Sequence, residues 1–83
     1  MKKDLLNLST DLRRISDWIV NGDIDIAQKF INICREKYSD IPQKIGSYKN
    51  IWKEIDKIEK LEGGKDKAAE RASTASVILL NNV

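Results

Sequence analysis

Few side chains in this chain are suited to covalent or acid–base chemistry. There is no histidine and only one cysteine, Cys34. Without histidine, the chain cannot form serine–histidine or cysteine–histidine nucleophile pairs, an imidazole general base, or zinc and di-iron sites that need imidazole ligands. A single thiol also excludes a four-thiolate metal site and an intramolecular disulfide. The remaining candidates for chemistry are carboxylates.

Four carboxylates are close together in one segment: Glu54, Asp56, Glu59 and Glu62. Glu59 and Glu62 fall within the apolar sector of the helix that this segment predicts. We interpret them as residues of the last helical turn, exposed or paired with Lys65, Lys67 or Arg71. We therefore predict no catalytic residue, no metal site and no cofactor, and an enzyme that uses carboxylate chemistry is the alternative.

Cys34 lies in the middle of an apolar stripe, between Phe30 and Tyr38. A thiol in such surroundings behaves as a small hydrophobic side chain. The neighbouring Arg35 and Lys37 would lower the pKa of the thiol only if the sulfur reached solvent. The stripe therefore predicts an unreactive core residue.

The segment "GGKDKAAE" places two glycines before the start of a predicted helix, an arrangement that can present free amides to an anion. The phosphate-loop pattern G-x-x-x-x-G-K-[ST] is absent, and no predicted strand precedes the segment. We therefore predict an ordinary turn between two helices.

Four lysines form a stripe on the polar side of the third predicted helix: Lys49, Lys53, Lys57 and Lys60. They are the best candidates for nucleic-acid contact. Glu54 and Asp56 flank the stripe, and the aromatic residues Tyr48 and Trp52 lie on the opposite, apolar side, where bases cannot stack on them. The net charge is only +2 and is spread evenly along the chain. We predict a solvated face, with nucleic-acid binding and contact with an acidic protein as the alternatives.

Three breaks divide the chain into amphipathic segments: "NGD" at 21–23, "SDIP" at 39–42 and "EGG" at 62–64. Each break combines residues that end one helix with residues that begin the next. Gly22 suits the left-handed position after the first helix, and Gly63 with Gly64 closes the third. Apolar residues recur at steps of three and four between the breaks. The pattern predicts helices over 4–21, 24–38, 42–62 and 66–81.

Four helices with short connections predict an all-α, single domain over residues 1–83, an antiparallel up-down-up-down four-helix bundle. The alternative is a three-helix bundle with a loosely docked C-terminal helix. We expect nearly complete burial of Leu12, Ile15, Phe30, Cys34, Ile51 and Ile55. The second helix carries a wide apolar half that includes Ile26 and Ile33. The fourth helix places on its core face Ala68, Ala69, Ala72, Ala75, Ser76, Leu79 and Leu80. Its alanines, and Ser9 and Ser16 beside the seam of the first helix, are small enough to let neighbouring helices approach closely.

Four apolar residues lie off these core faces and meet at one end of the predicted bundle: Leu6, Ile41, Val77 and Ile78. The fourth helix ends beside the start of the first in this topology. Four such residues in one place exceed the scattered exposure that is normal for a monomer. We predict that they form an interface with a second copy or another protein; the alternative is a frayed terminus that tolerates exposed hydrophobic side chains.

These patterns predict a small non-enzymatic protein that acts through protein–protein contact, most simply as a homodimer. An adaptor, a regulator, or a component of a toxin–antitoxin or phage system fits equally well. A chain of 83 residues has a thin core that oligomerisation would supplement. The longest apolar run is too short to span a membrane, and the N-terminal segment lacks an unbroken apolar region. We therefore expect a cytoplasmic protein without a membrane partner.

Overall fold

The computed structural model describes residues 2–42 and 50–82. Within these ranges the chain forms four helices and no strand: α1 (Lys2–Asn21), α2 (Ile24–Lys37), α3 (Ile51–Glu59) and α4 (Lys65–Asn81). Each helix packs against two others, in the pairs α1–α2, α2–α3, α3–α4 and α4–α1. This closed ring of antiparallel neighbours is an up-down-up-down four-helix bundle, so the predicted fold is confirmed.

The turn between α1 and α2 follows from one glycine. Gly22 has φ +86°, a left-handed backbone conformation that glycine adopts without steric cost. Its N–H donates to the carbonyl oxygen of Ile19 at 3.0 Å, and the N–H of Asp23 donates to that of Trp18 at 2.8 Å. These two bonds satisfy the end of α1 and reverse the chain. Near this turn, the ring centroids of Trp18 and Phe30 lie 4.4 Å apart.

The contact between α1 and α4 is the most extensive helix contact among the described residues. The hydroxyl of Ser9 donates to the carbonyl oxygen of Ser76, and the hydroxyl of Ser76 donates to that of Ser9, each at 2.7 Å. Two turns away, the hydroxyl of Ser16 donates to the carbonyl oxygen of Ala69 at 2.8 Å. These bonds require close approach of the two backbones. The alternative with a loosely docked fourth helix is therefore wrong.

The core combines large side chains from α1 with small ones from α4. The buried apolar residues of α1 are Leu5, Leu8, Leu12, Ile15 and Ile19. Those of α4 are Ala68, Ala69, Ala72, Ala75 and Leu79. The other two helices contribute Ala27, Ile31, Cys34, Ile51, Ile55 and Ile58. Five of the six predicted core residues are confirmed. Phe30 is the exception, because it packs against Trp18 at the rim and is only partly buried.

The predicted third helix over 42–62 is wrong at both ends. Asn50 is extended, with φ −155° and ψ 100°, and its side-chain oxygen accepts the N–H of Lys53 at 3.1 Å. Asparagine is among the best residues for capping a helix in this way, so α3 begins directly after it. At the other end Leu61, rather than a glycine, takes the left-handed position, with φ +52°. Residues 43–49 lie outside the described part of the chain.

The apolar half predicted for α2 is wider than the face that its neighbours cover. Ala27, Ile31 and Cys34 are buried, whereas Ile26 and Ile33 are 44% and 46% exposed. These two residues lie on the outer flank of α2, beyond its buried stripe. The apolar half of α2 therefore extends beyond the stripe that α1 and α3 cover.

The fully buried Ile55 tests the packing of α3. We expect Ile55→Ala to lower the free energy of unfolding by about 2–5 kcal/mol, because truncation loses apolar burial and leaves a cavity. The exposed Ile33 supplies the control: Ile33→Ala should cost less than about 1 kcal/mol. Urea titration followed by circular dichroism measures both. Equal losses for the two variants would contradict the burial described here.

Ser9 tests the close approach of α1 and α4. Ser9→Ala removes one hydrogen bond and should cost about 0.5–1.5 kcal/mol. Ser9→Val also adds bulk where the two backbones meet, so it should cost about 1–3 kcal/mol more through overpacking. Denaturant titration measures the free energy of unfolding of both variants and shows whether Ser9→Val is the less stable. If valine were tolerated as well as alanine, the helices could not be in close contact at this position.

Candidate protein-docking groove

A groove runs along the outer surface of the α1–α4 contact and encloses about 290 Å³. Ser9 and Ser76 form its floor, since both are buried and their side chains are too short to fill the space between the helices. The walls are formed by Thr10, Arg13, Ser73, Val77 and Leu80. We call this feature the α1–α4 groove. It exists because the closest contact of the bundle is made by its smallest side chains.

One end of the α1–α4 groove is apolar. Val77 and Leu80 in its wall are 53% and 52% exposed, and Leu6 is 40% exposed. Leu6 lies one turn before Thr10, whose hydroxyl donates to the Leu6 carbonyl oxygen at 3.1 Å. Because α1 and α4 are antiparallel and Ser9 pairs with Ser76, Leu6 is level with Leu80. We call Leu6, Val77 and Leu80 the apolar end.

The structure exposes some of the predicted interface residues and buries others. Leu6 and Val77 are exposed at the apolar end, and Ile78 is half-buried. Ile41 is buried, with 4% of its surface exposed, and its carbonyl oxygen accepts the indole N–H of Trp52 at 3.5 Å. The prediction that Ile41 lies in an exposed patch is therefore wrong. That the exposed residues contact a partner stays a prediction.

Leu80 is the residue that sequence reasoning missed, because it was placed on the core face of α4. It is exposed, whereas the adjacent Leu79 is fully buried. One step along a helix rotates a side chain by about 100°. Leu79 lies near the centre of the buried stripe, whereas Leu80 lies at its edge, only about 20° around the helix from the buried Ala69. Because the alanines reach that edge, no local sequence signal separates Leu80 from the core.

The rest of the outer surface of α1 is charged in the middle and apolar at its far end. Spacing of four and three residues puts on one stripe Leu6, Thr10, Arg13, Asp17 and Val20. All five are exposed, Val20 by 58%. The stripe therefore presents one cation and one carboxylate between its apolar ends.

Three of the four carboxylates considered for metal binding or catalysis pair with arginines, and the fourth, Glu62, is exposed. Arg35 of α2 contacts Asp56 and bonds Glu59 at 2.8 Å, and Arg71 of α4 bonds Glu54 at 3.2 Å. These pairs connect α3 to its two neighbours. In residues 2–42 and 50–82, no group of three or more acidic, cysteine or histidine residues is arranged to hold a metal ion.

The lysine stripe is only partly within the described residues. Lys53 and Lys60 are exposed and Lys57 is half-buried, whereas Lys49 lies outside the described ranges. The side chain of Trp52 is half-buried and bonds the backbone of Ile41, so its ring is not presented beside the lysines. Nucleic-acid binding by this stripe stays a prediction.

Cys34 is buried, with 1% of its surface exposed, so the prediction of a core cysteine is confirmed. Burial, with a smaller contribution from the charge of Asp11, raises the pKa of the Cys34 thiol to about 12. Burial also raises the pKa of Tyr38, whose hydroxyl donates to Asp11 at 2.8 Å. The thiol is therefore protonated at neutral pH and enclosed by the bundle.

Thiol labelling tests this state of Cys34. At pH 8 the folded protein should react with an aromatic disulfide reagent many times more slowly than the urea-unfolded chain, because the thiolate is the nucleophile. The unfolded thiol has the lower pKa and loses its proton first as the pH rises. Stability should therefore fall above about pH 8.5, more steeply in the wild type than in Cys34→Ala. Rapid labelling of the folded protein would contradict the burial.

None of the helices in the described ranges has both the length and the apolar character needed to cross a membrane. Protein-family models, curated proteins and solved structures contain no match to this chain.

Proposed function

We propose that this protein is a non-enzymatic docking protein that acts through protein–protein contact, as a homodimer with an adaptor or regulatory role. One observation carries the proposal: the apolar end, where Leu6, Val77 and Leu80 lie together and are each at least 40% exposed. Single exposed hydrophobic residues are normal on a monomer, but contiguous ones beside a groove are typical of an interaction surface.

The chemistry of the groove favours a protein as its occupant. Its walls offer aliphatic side chains, two hydroxyl groups and one guanidinium, and protein interfaces combine an apolar centre with a polar rim in which arginine is common. Covering aliphatic surface releases about 25 cal/mol per Å². The small core of an 83-residue chain makes that additional burial valuable for stability.

A second copy of the chain is the simplest occupant. In a two-fold dimer one surface covers itself, so a single apolar patch is buried twice by one contact. The outer surfaces of α2 and α3 remain free in such a dimer. An adaptor or regulator would use those surfaces to contact its target.

Nucleic-acid binding through the α3 lysines is the competing function, and salt separates it from apolar association. Phosphate contacts release counterions, so such binding weakens steeply as salt rises. Association through the apolar end should change little over the same series. Lys53 and Lys60 are exposed, and Asp56 between them pairs with Arg35 of α2, so this face carries charges of both signs.

The apolar end is tested by replacing two of its residues with lysine. We expect the wild type to be a dimer by light scattering coupled to gel filtration, and Leu6→Lys with Val77→Lys to be a folded monomer. Two charges placed in an apolar contact cannot be desolvated without a partner of opposite charge. Circular dichroism verifies that the variant retains its helices.

Ile33→Lys is the matched control, because Ile33 is exposed to a similar degree but lies on α2, away from the groove. This variant should remain a dimer. The proposal fails if the wild type stays monomeric at high concentration, or if the double variant is folded and still dimeric.

A further inference from the structure

The outer stripe of α1 has an approximate symmetry about its middle. Leu6 and Val20 lie one heptad on either side of Arg13, and both are exposed. Thr10 and Asp17, also exposed, lie one turn on either side of Arg13. A helix with this arrangement can cover a reversed copy of itself, apolar position against apolar position.

We infer that two copies meet through antiparallel α1 helices, with the two-fold axis beside Arg13. This inference rests on the proposed homodimer and gives its geometry. Under that axis, Leu6 of one copy is level with Val20 of the other. Leu80 is level with Leu6 across the α1–α4 groove, so Val20 of the second copy enters the apolar end between them. The symmetry repeats the contact, and all four exposed aliphatic positions of α1 and α4 are covered.

The charges on the stripe match the same arrangement. Asp17 of the second copy is level with Thr10 and lies one turn from Arg13. By the same symmetry, Arg13 of the second copy lies one turn from Asp17 of the first. Each guanidinium therefore has a carboxylate of the other copy within one turn, which offsets the other guanidinium near the axis. Complementary charges of this kind fix the register of an interface.

A parallel arrangement of the same helices does not have these properties. It places Asp17 against Asp17 as well as Arg13 against Arg13, and like charges in contact oppose association. In the antiparallel arrangement only Arg13 faces its own copy. The parallel arrangement also leaves Val20 beside Val20 of the other copy, far from the apolar end, so only the antiparallel arrangement fills the apolar end and keeps the two Asp17 carboxylates apart.

Cysteine cross-linking tests the orientation. Leu6→Cys and Val20→Cys are made as separate chains, and each is oxidised alone and then after mixing. A disulfide needs Cβ atoms within about 4.5 Å, so the mixture should give a cross-linked heterodimer and neither variant alone should give one. Wild type is the control, because Cys34 is 1% exposed and should not cross-link.

Val20→Lys separates this geometry from the homodimer itself. It should weaken self-association at least about tenfold in sedimentation equilibrium, since each dimer loses two apolar contacts, while Ile33→Lys changes it less than about twofold. A wild-type dimer in which Leu6→Cys cross-links with itself, or in which Val20→Lys has no effect, would overturn the antiparallel arrangement and leave the homodimer standing. A monomeric wild type would overturn both.

Discussion

The bundle depends on the short distance between α1 and α4. Ser9 and Ser76 exchange hydrogen bonds from hydroxyl to carbonyl, and Ser16 bonds Ala69 in the same way two turns away. Each helical carbonyl has a second lone pair that can accept such a bond, so the buried hydroxyls of Ser9, Ser16 and Ser76 all have partners. With α4 held this close, the alanines of α4 fill the core beside the leucines and isoleucines of α1, and α2 and α3 complete the ring.

This contact has an approximate two-fold symmetry. The buried positions of α1 between 8 and 19 have the same spacing as the buried positions of α4 between 68 and 79. When the two helices are exchanged, the contact of Ser9 with Ser76 takes the place of the contact of Ala69 with Ser16. Side-chain volume breaks the symmetry, since Leu8, Leu12 and Ile15 correspond to alanines in α4. Large side chains on α1 pack against small side chains on α4, so the space between the two helices is filled at normal packing density. The sequence thereby specifies which helix supplies bulk to the centre of the bundle.

Most of the fold that we predicted follows from short-range patterns in the sequence. The number of helices, their antiparallel order and the start of α2 and α4 follow from glycine breaks and from apolar spacing. The start of α3 was missed because the apolar period continues through Ile41, Ile45 and Tyr48 without interruption, while Asn50 competes as a helix cap. The candidate site was predicted less well. Exposure of Leu80 and burial of Ile41 depend on where neighbouring helices end, which no local pattern records.

The hydroxyl groups in the floor of the α1–α4 groove have a consequence for selectivity. A serine has one proton to donate, and Ser9 and Ser76 both use theirs on backbone carbonyls. Only the lone pairs of the two hydroxyl oxygens are left to face the groove, so its floor can accept a hydrogen bond but cannot donate one. A phosphate, a carboxylate or a backbone carbonyl would find no donor there. The floor therefore admits aliphatic groups and N–H or O–H groups, and a bare acceptor can be bound only at the walls, where Arg13 and Ser73 carry donors.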